Sequence, residues 1–187
     1  MTRRADAIEA TRRQIAAAAA RLHTTIGPAN TSIAAIAEEA GVTRLTVYRH
    51  FSEFDVLFVA CRAHWRAENP PPDPRGWPEV AGLEPRARRA FTEWYGWYAD
   101  HAEALFPIYR DMTTLPAASQ DTMRTENRRL ADLLCGSDVP DGPAGEARRA
   151  IARHLLDYRT WRSLAVDQAL APDRVVDVAV RMLLAVE

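Results

Sequence analysis

The 187-residue chain has no lysine, so all 24 of its basic residues are arginine. Beside so much alanine, that bias points to a GC-rich coding sequence more than to a mechanism, although arginine's planar fork also suits two-pronged contacts with phosphates and base edges. Cysteine is nearly as scarce. Cys61 and Cys135 form no metal-ligand spacing, and with no secretory leader ahead of them they are expected to be reduced thiols in a cytoplasmic protein. No apolar run approaches the length of a membrane span, so a soluble protein without a membrane partner is expected. Glycine is sparse, and there is no phosphate-cradling loop, Gly-x-Ser-x-Gly turn or zinc-protease helix. The Glu-x-x-His pairs of bundle di-metal oxidases are missing as well. Asp100, His101 and Glu103 cluster, and His154 stands near Asp157, but neither set has an identifiable partner on a second helix. No enzyme, cofactor or metal is expected.

What is present is concentrated between Thr31 and Phe58. Thr31 or Ser32 can cap a helix whose Ile33, Ile36, Ala37 and Ala40 recur at three- and four-residue spacing, the mark of one buried face. Gly41 ends that helix, because glycine takes the left-handed conformation of a helix stop without steric cost. Val42 plugs the turn, and Thr43 can cap a second helix with Val47 and Phe51 inward. Arg44, Leu45, Thr46, Tyr48, Arg49 and His50 are then left outward, with no carboxylate between Gly41 and Ser52. Two helices joined by a glycine turn, the second presenting cations and hydrogen-bonding groups, form the helix-turn-helix geometry for the DNA major groove. Arginine can grip guanine O6 and N7, leucine and threonine can touch a thymine methyl, and tyrosine and histidine can bond phosphate oxygens. Charge agrees: residues 1–50 carry seven arginines against four acids, net +3, while the remainder carries 17 against 21, net −4.

The stretch Ile36-Ala37, Ala40-Gly41-Val42-Thr43, Thr46-Val47-Tyr48 and His50-Phe51 resembles the DNA-binding domain of the TetR family of bacterial transcriptional repressors. The likeness covers about thirty residues and implies a fourth helix that links two domains. It also implies that Thr31, Ser32, Thr43, Arg44, Leu45, Thr46, Tyr48, Arg49 and His50 meet double-stranded DNA. One position departs from the pattern: where relatives usually carry a phosphate-contacting lysine at the start of the fourth helix, this chain has Phe54, flanked by Glu53 and Asp55. The resulting expectation is an all-α protein, with a three-helix DNA-binding domain over 1–51 and a larger helical ligand-binding and dimerisation domain over 52–187.

In chain order, Arg3 and Arg4 precede a helix with Ile8, Ile15, Ala18, Ala19 and Leu22 as its core stripe, closed by Gly27-Pro28. The two arginines are either a basic arm reaching a neighbouring groove or a loose tail. The fourth helix is predicted from about Ser52 to Glu68, with Phe54, Leu57, Phe58, Cys61 and Trp65 inward, before the proline-rich run 69–74 stops it. Pro85 suits the first turn of the next helix, where Phe91, Trp94, Tyr95, Trp97 and Tyr98 give five aromatics in eight residues. They are either core packing or the lining of an effector cavity, in which Phe91, Trp94, Tyr95, Tyr98 and His101 would act with Phe106, Tyr109 and Met112. Pro107 is expected to kink or restart its helix. Leu115-Pro116 opens another, and 136–145 is a loop.

The last two helices are predicted as Ala144 to Leu170 and Pro172 to Val186, with more apolar surface than one core stripe needs. By the same resemblance they pair with their twofold mates in a homodimer through Leu155, Tyr158, Arg159, Trp161, Arg162, Val175, Ala179 and Met182. The function implied is a repressor that holds a pseudopalindromic operator and is released by a small apolar or aromatic effector. The alternative is an effector-independent or architectural DNA binder.

Overall fold

A computed structural model describes residues 3–186, which form ten α-helices and, among the described residues, no strand. Helix α1 spans Arg3–Thr25, α2 Ile33–Glu39, α3 Arg44–His50, α4 Phe54–Glu68, α5 Leu83–Asp100, α6 Ala102–Arg110, α7 Ala117–Cys135, α8 Pro143–Leu155, α9 Tyr158–Arg162 and α10 Pro172–Leu184. The chain divides into two compact units: Met1–Pro70 with Glu103–Asp121, and Pro71–Ala102 with Thr122–Glu187. α4 packs along α1, so the fourth helix belongs to the body of the helix-turn-helix.

In the first unit, α1 presents Ile15, Ala16, Ala18, Ala19 and Ala20 to the interior, and these small side chains let neighbouring helices approach closely. Ile36 and Ala37 of α2, Val47 of α3, and Leu57, Phe58 and Cys61 of α4 complete the core. Each fully buried Ile or Leu contributes about 1.5–3 kcal/mol of transfer free energy. Two expectations for α1 need correction. Ile8 is 51% exposed, because core burial on α1 begins only at Ile15, and the helix already includes Arg3 and Arg4. α6 runs through Pro107 without restarting, the proline forgoing a single ladder bond.

The loop between α1 and α2 is held from α6. The Asp111 carboxylate accepts from the Ala29 amide at 3.1 Å, and Arg110 donates to Asp111 at 2.7 Å and to the Ile26 carbonyl at 2.9 Å. The hydrogen bond from Arg110 holds the Asp111 carboxyl below its usual range. Gly27 closes this corner at φ +92°, where a Cβ would lie 2.2 Å from Asp111 Oδ2, so only glycine fits.

The second unit is built on α5, whose Ala87, Ala90, Phe91, Trp94, Tyr95 and Tyr98 are buried and which packs along α10. Arg86 on the same helix is 4% exposed, yet its guanidinium is well partnered. It donates to the carbonyls of Val80, Leu134 and Cys135 and pairs with Asp138 at 2.7 Å, tying the end of α7 to α5. The helix expected over 144–170 is broken. α8 stops at Leu155, and Asp157 (ψ 134°) caps α9 by accepting from the Arg159 amide at 2.8 Å. α9 then loosens into a π turn over Ser163–Asp167.

Candidate nucleic-acid interface

Local chemistry shapes the helix-turn-helix as its sequence suggests. Ser32 accepts from the Ala35 amide at 3.1 Å and starts α2; Gly41 turns the chain at φ +63°; Thr43 accepts from the Thr46 amide at 3.2 Å and starts α3. Val47 and Phe51 anchor α3 at 0% and 3% exposure. The opposite face stands in water: Leu45 is 76% and Tyr48 55% exposed, Arg44 and Arg49 are exposed, and Thr46 and His50 are half-buried. Among the described residues neither Arg44 nor Arg49 has an ion-pair or hydrogen-bond partner. Two cations, a phenol and an apolar side chain thus share one open helical face, which fits the mixed readout of phosphates and base edges.

Not every expected contact is equally available. The Thr31 hydroxyl donates to the Gly27 carbonyl at 2.8 Å and is half-buried, so it serves the turn; Ser32 and Thr43 are exposed caps. Phe54, at the first turn of α4, is half-buried with its ring 6.2 Å from the imidazole of His23, so the position that departs from the family pattern faces inward.

Two residues of the site were missed in the sequence because they lie on α1, outside the motif. The Arg12 guanidinium donates to the His50 carbonyl at 2.6 Å and lies over the Phe51 ring at 4.2 Å. Gln14 donates to the Ala40 carbonyl at 2.7 Å. The available signal was their position just ahead of the buried Ile15, on a helix that packs along α2.

His23 and Cys61 meet behind this surface, Nδ1 and Sγ 3.3 Å apart. Burial lowers the His23 pKa to about 4 and raises the Cys61 thiol to about 12. Both are neutral core groups.

The expected effector residues fall into different units. Phe91, Trp94, Tyr95, Tyr98 and His101 lie in the second, and Phe106, Tyr109 and Met112 in the first. Within the second unit the indole of Trp94 and the phenols of Tyr95 and Tyr98 are engaged by the fold itself. Tyr95 donates to the Leu155 carbonyl and Tyr98 to that of Leu156, each at 2.8 Å, while Trp94 donates to the Tyr98 hydroxyl at 2.9 Å. These bonds cap the end of α8, which is why the helix expected to continue to Leu170 stops there. His101 is half-buried against Trp97, with ring centroids 5.1 Å apart.

Of the residues expected at the dimer interface, Leu155, Tyr158, Val175 and Ala179 are 0% exposed and Trp161 5% within the single chain. Tyr158 donates to the Ala102 carbonyl at 2.7 Å. Arg159, Arg162 and Met182 retain surface, and Val166 and Leu184 are exposed on the same closing segments.

Comparison with known proteins agrees with this geometry. Residues 15–61 match the family model for bacterial regulatory proteins, tetR family. The fold is similar to the crystal structure of a tetR-family transcriptional regulator from Streptomyces coelicolor, at 19% identity and a TM-score of 0.65, over 95% of this chain and 80% of that one. No curated protein matches the chain. No helix among the described residues is long and apolar enough to cross a membrane.

Proposed function

We propose that the chain, whose residues 15–61 match the family model for bacterial regulatory proteins of the tetR family, is a TetR-family ligand-responsive repressor acting as a homodimer. The observation that carries this reading is the outward face of α3, where Arg44, Leu45, Tyr48 and Arg49 stand exposed with no carboxylate from Gly41 to Ser52. Arg44 reads a guanine edge, Leu45 and Thr46 touch thymine methyl groups, and Tyr48 and His50 bond phosphates. A twofold pair sets its two recognition helices about 34–36 Å apart, in successive major grooves of a pseudopalindromic operator. The partner chain is met by surface around Arg159, Arg162 and Met182, with Val166 and Leu184 adding apolar area.

The effector is small and apolar or aromatic. With the phenols of Tyr95 and Tyr98 donating to backbone carbonyls, the cluster offers ring faces more than hydrogen bonds. It favours a conformation in which the recognition helices are wrongly spaced, and repression falls by the difference in its affinity for the two states. The same commitment of the phenols favours a second reading, an effector-independent DNA binder. Thermal stabilisation by a compound in a screen of aromatic and apolar molecules supports the first; a screen without a hit, on protein that binds its operator, supports the second.

The first test is gel-shift binding to DNA flanking the protein's own gene, across a salt series, with wild type beside Tyr48→Ala. Tight, salt-sensitive binding at an even number of protomers per site, lost in the variant, is expected. Binding that Tyr48→Ala leaves intact would remove α3 as the reading element.

A further inference from the structure

We propose that Arg12 is a positioning residue for DNA reading, a clasp from α1 that fixes the C-terminal end of the recognition helix without itself touching DNA. The proposal rests on the helix-turn-helix reading above. α3 is seven residues long, barely two turns, and its last carbonyls have no partner within the helix. Arg12 supplies one: its NH1 donates to the His50 carbonyl at 2.6 Å, a charge-assisted bond placed where the helix dipole favours a cation. The same guanidinium lies over the Phe51 ring at 4.2 Å, and Phe51 carries the last ladder bond of α3, from its amide to the Val47 carbonyl at 2.8 Å.

Two residues along α1, Gln14 performs the equivalent service for α2, donating to the Ala40 carbonyl at 2.7 Å just before the Gly41 turn. One helix therefore holds the C-terminal ends of both members of the motif, and their mutual angle is set from α1. Arg12 is half-buried with its NH1 bonded to the fold and its guanidinium over Phe51, unlike the exposed Arg44 and Arg49. Geometry thus separates a cation that orients the reading helix from cations available to read.

The test uses the full chain and a duplex selected by the wild-type protein from a random-sequence pool, with a scrambled duplex as control. Arg12→Gln is expected to weaken binding to the selected duplex about tenfold, the loss of one charge-assisted bond, while leaving the scrambled duplex and the slope of affinity against salt nearly unchanged. Arg12→Lys keeps the charge but loses the planar stacked fork, so it does not restore binding. Without DNA, amide exchange in the last turn of α3 and at Phe51 should quicken in both variants.

A flattened salt slope with equal losses on both duplexes, restored by Arg12→Lys, would make Arg12 an ordinary phosphate contact and overturn the proposal. Unchanged exchange at Phe51 would overturn it too, and that measurement remains decisive if Arg12→Gln fails to fold, since Arg12→Lys carries it. If the wild type selects no duplex, the repressor reading itself falls, and exchange alone decides whether Arg12 holds α3.

Discussion

The outward face of α3 and the aromatic face of α5 both carry side chains suited to recognition, but they dispose of their hydrogen-bonding capacity in opposite ways. On α3 the cap, Thr43, lies in the turn, and Arg44, Leu45, Tyr48 and Arg49 are left to solvent. On α5 the indole of Trp94 and the phenols of Tyr95 and Tyr98 are bonded within the fold and buried to 5% exposure or less. Residue type alone suggested two binding sites. Accounting for these three donors separates a surface that keeps its capacity for a partner from side chains that use it at the end of α8, joining α5 to the closing helices. Substitutions in the second region should therefore cost stability and those in the first DNA affinity, with little crossover.

The largest effect should come from Trp77→Ala. Trp77 is 0% exposed, meets Trp94 edge-on at 5.8 Å and donates to Glu93 at 2.8 Å. Truncation should lower unfolding free energy by about 3–5 kcal/mol in urea melts. A loss below about 1 kcal/mol would mean that the cluster is loose enough to be a cavity wall, and the comparison would break.

His23 is an intermediate case: buried, but with Nε2 unpartnered among the described residues. Its pKa falls from 6.5 to about 4 on folding, so the unfolded chain binds the proton more readily. The stability that this group contributes is whole above the unfolded pKa of 6.5 and is lost as pH falls toward about 4, by roughly 3 kcal/mol in all. His23→Leu should remove that part of the acid sensitivity. Parallel pH profiles of unfolding free energy for the two proteins would show the imidazole charging without cost.

What could be read from the sequence follows the range of the interactions. Ser32, Gly41 and Thr43 act within three or four residues of themselves, so the motif could be read directly. The end of α8 could not: Tyr95 reaches a carbonyl 60 positions away, and Tyr98 one 58 away. Periodicity extended that helix to Leu170 because it passes over both the distant tyrosines and the local cap at Asp157 that starts α9. At Leu155, Val175 and Ala179 the apolar excess of the closing helices corresponds to side chains buried within this chain. Arg12 and Gln14 went unseen because a polar residue on a solvated helix looks the same whether or not a carbonyl lies beside it.

Tyr98→Phe sharpens the contrast at a single atom. The hydroxyl accepts from Trp94 and donates to Leu156, so its removal strands a buried donor and a buried acceptor. The expected cost is about 1–3 kcal/mol of stability, read as a lowered Tm, with DNA affinity of the folded protein retained. A fall in operator affinity without a fall in Tm would assign Tyr98 to signalling instead of support.

On α3 the same reasoning runs in reverse, and the effects are smaller and confined to DNA. Arg44→Ala should leave the unfolding free energy within about 0.5 kcal/mol of wild type, because the side chain supports nothing in the fold. It should cost about 1–3 kcal/mol of operator binding and relax preference at one base pair. Tyr48→Phe should cost less, on the order of 1 kcal/mol, and equally on every sequence, since a phosphate bond carries no base information. Binding measured on a set of operators with single base-pair changes distinguishes the two: the Arg44→Ala profile should flatten at one position, and the Tyr48→Phe profile should shift as a whole. If both shift uniformly, Arg44 holds backbone and the base-reading role passes to Arg49, the other exposed arginine of that face.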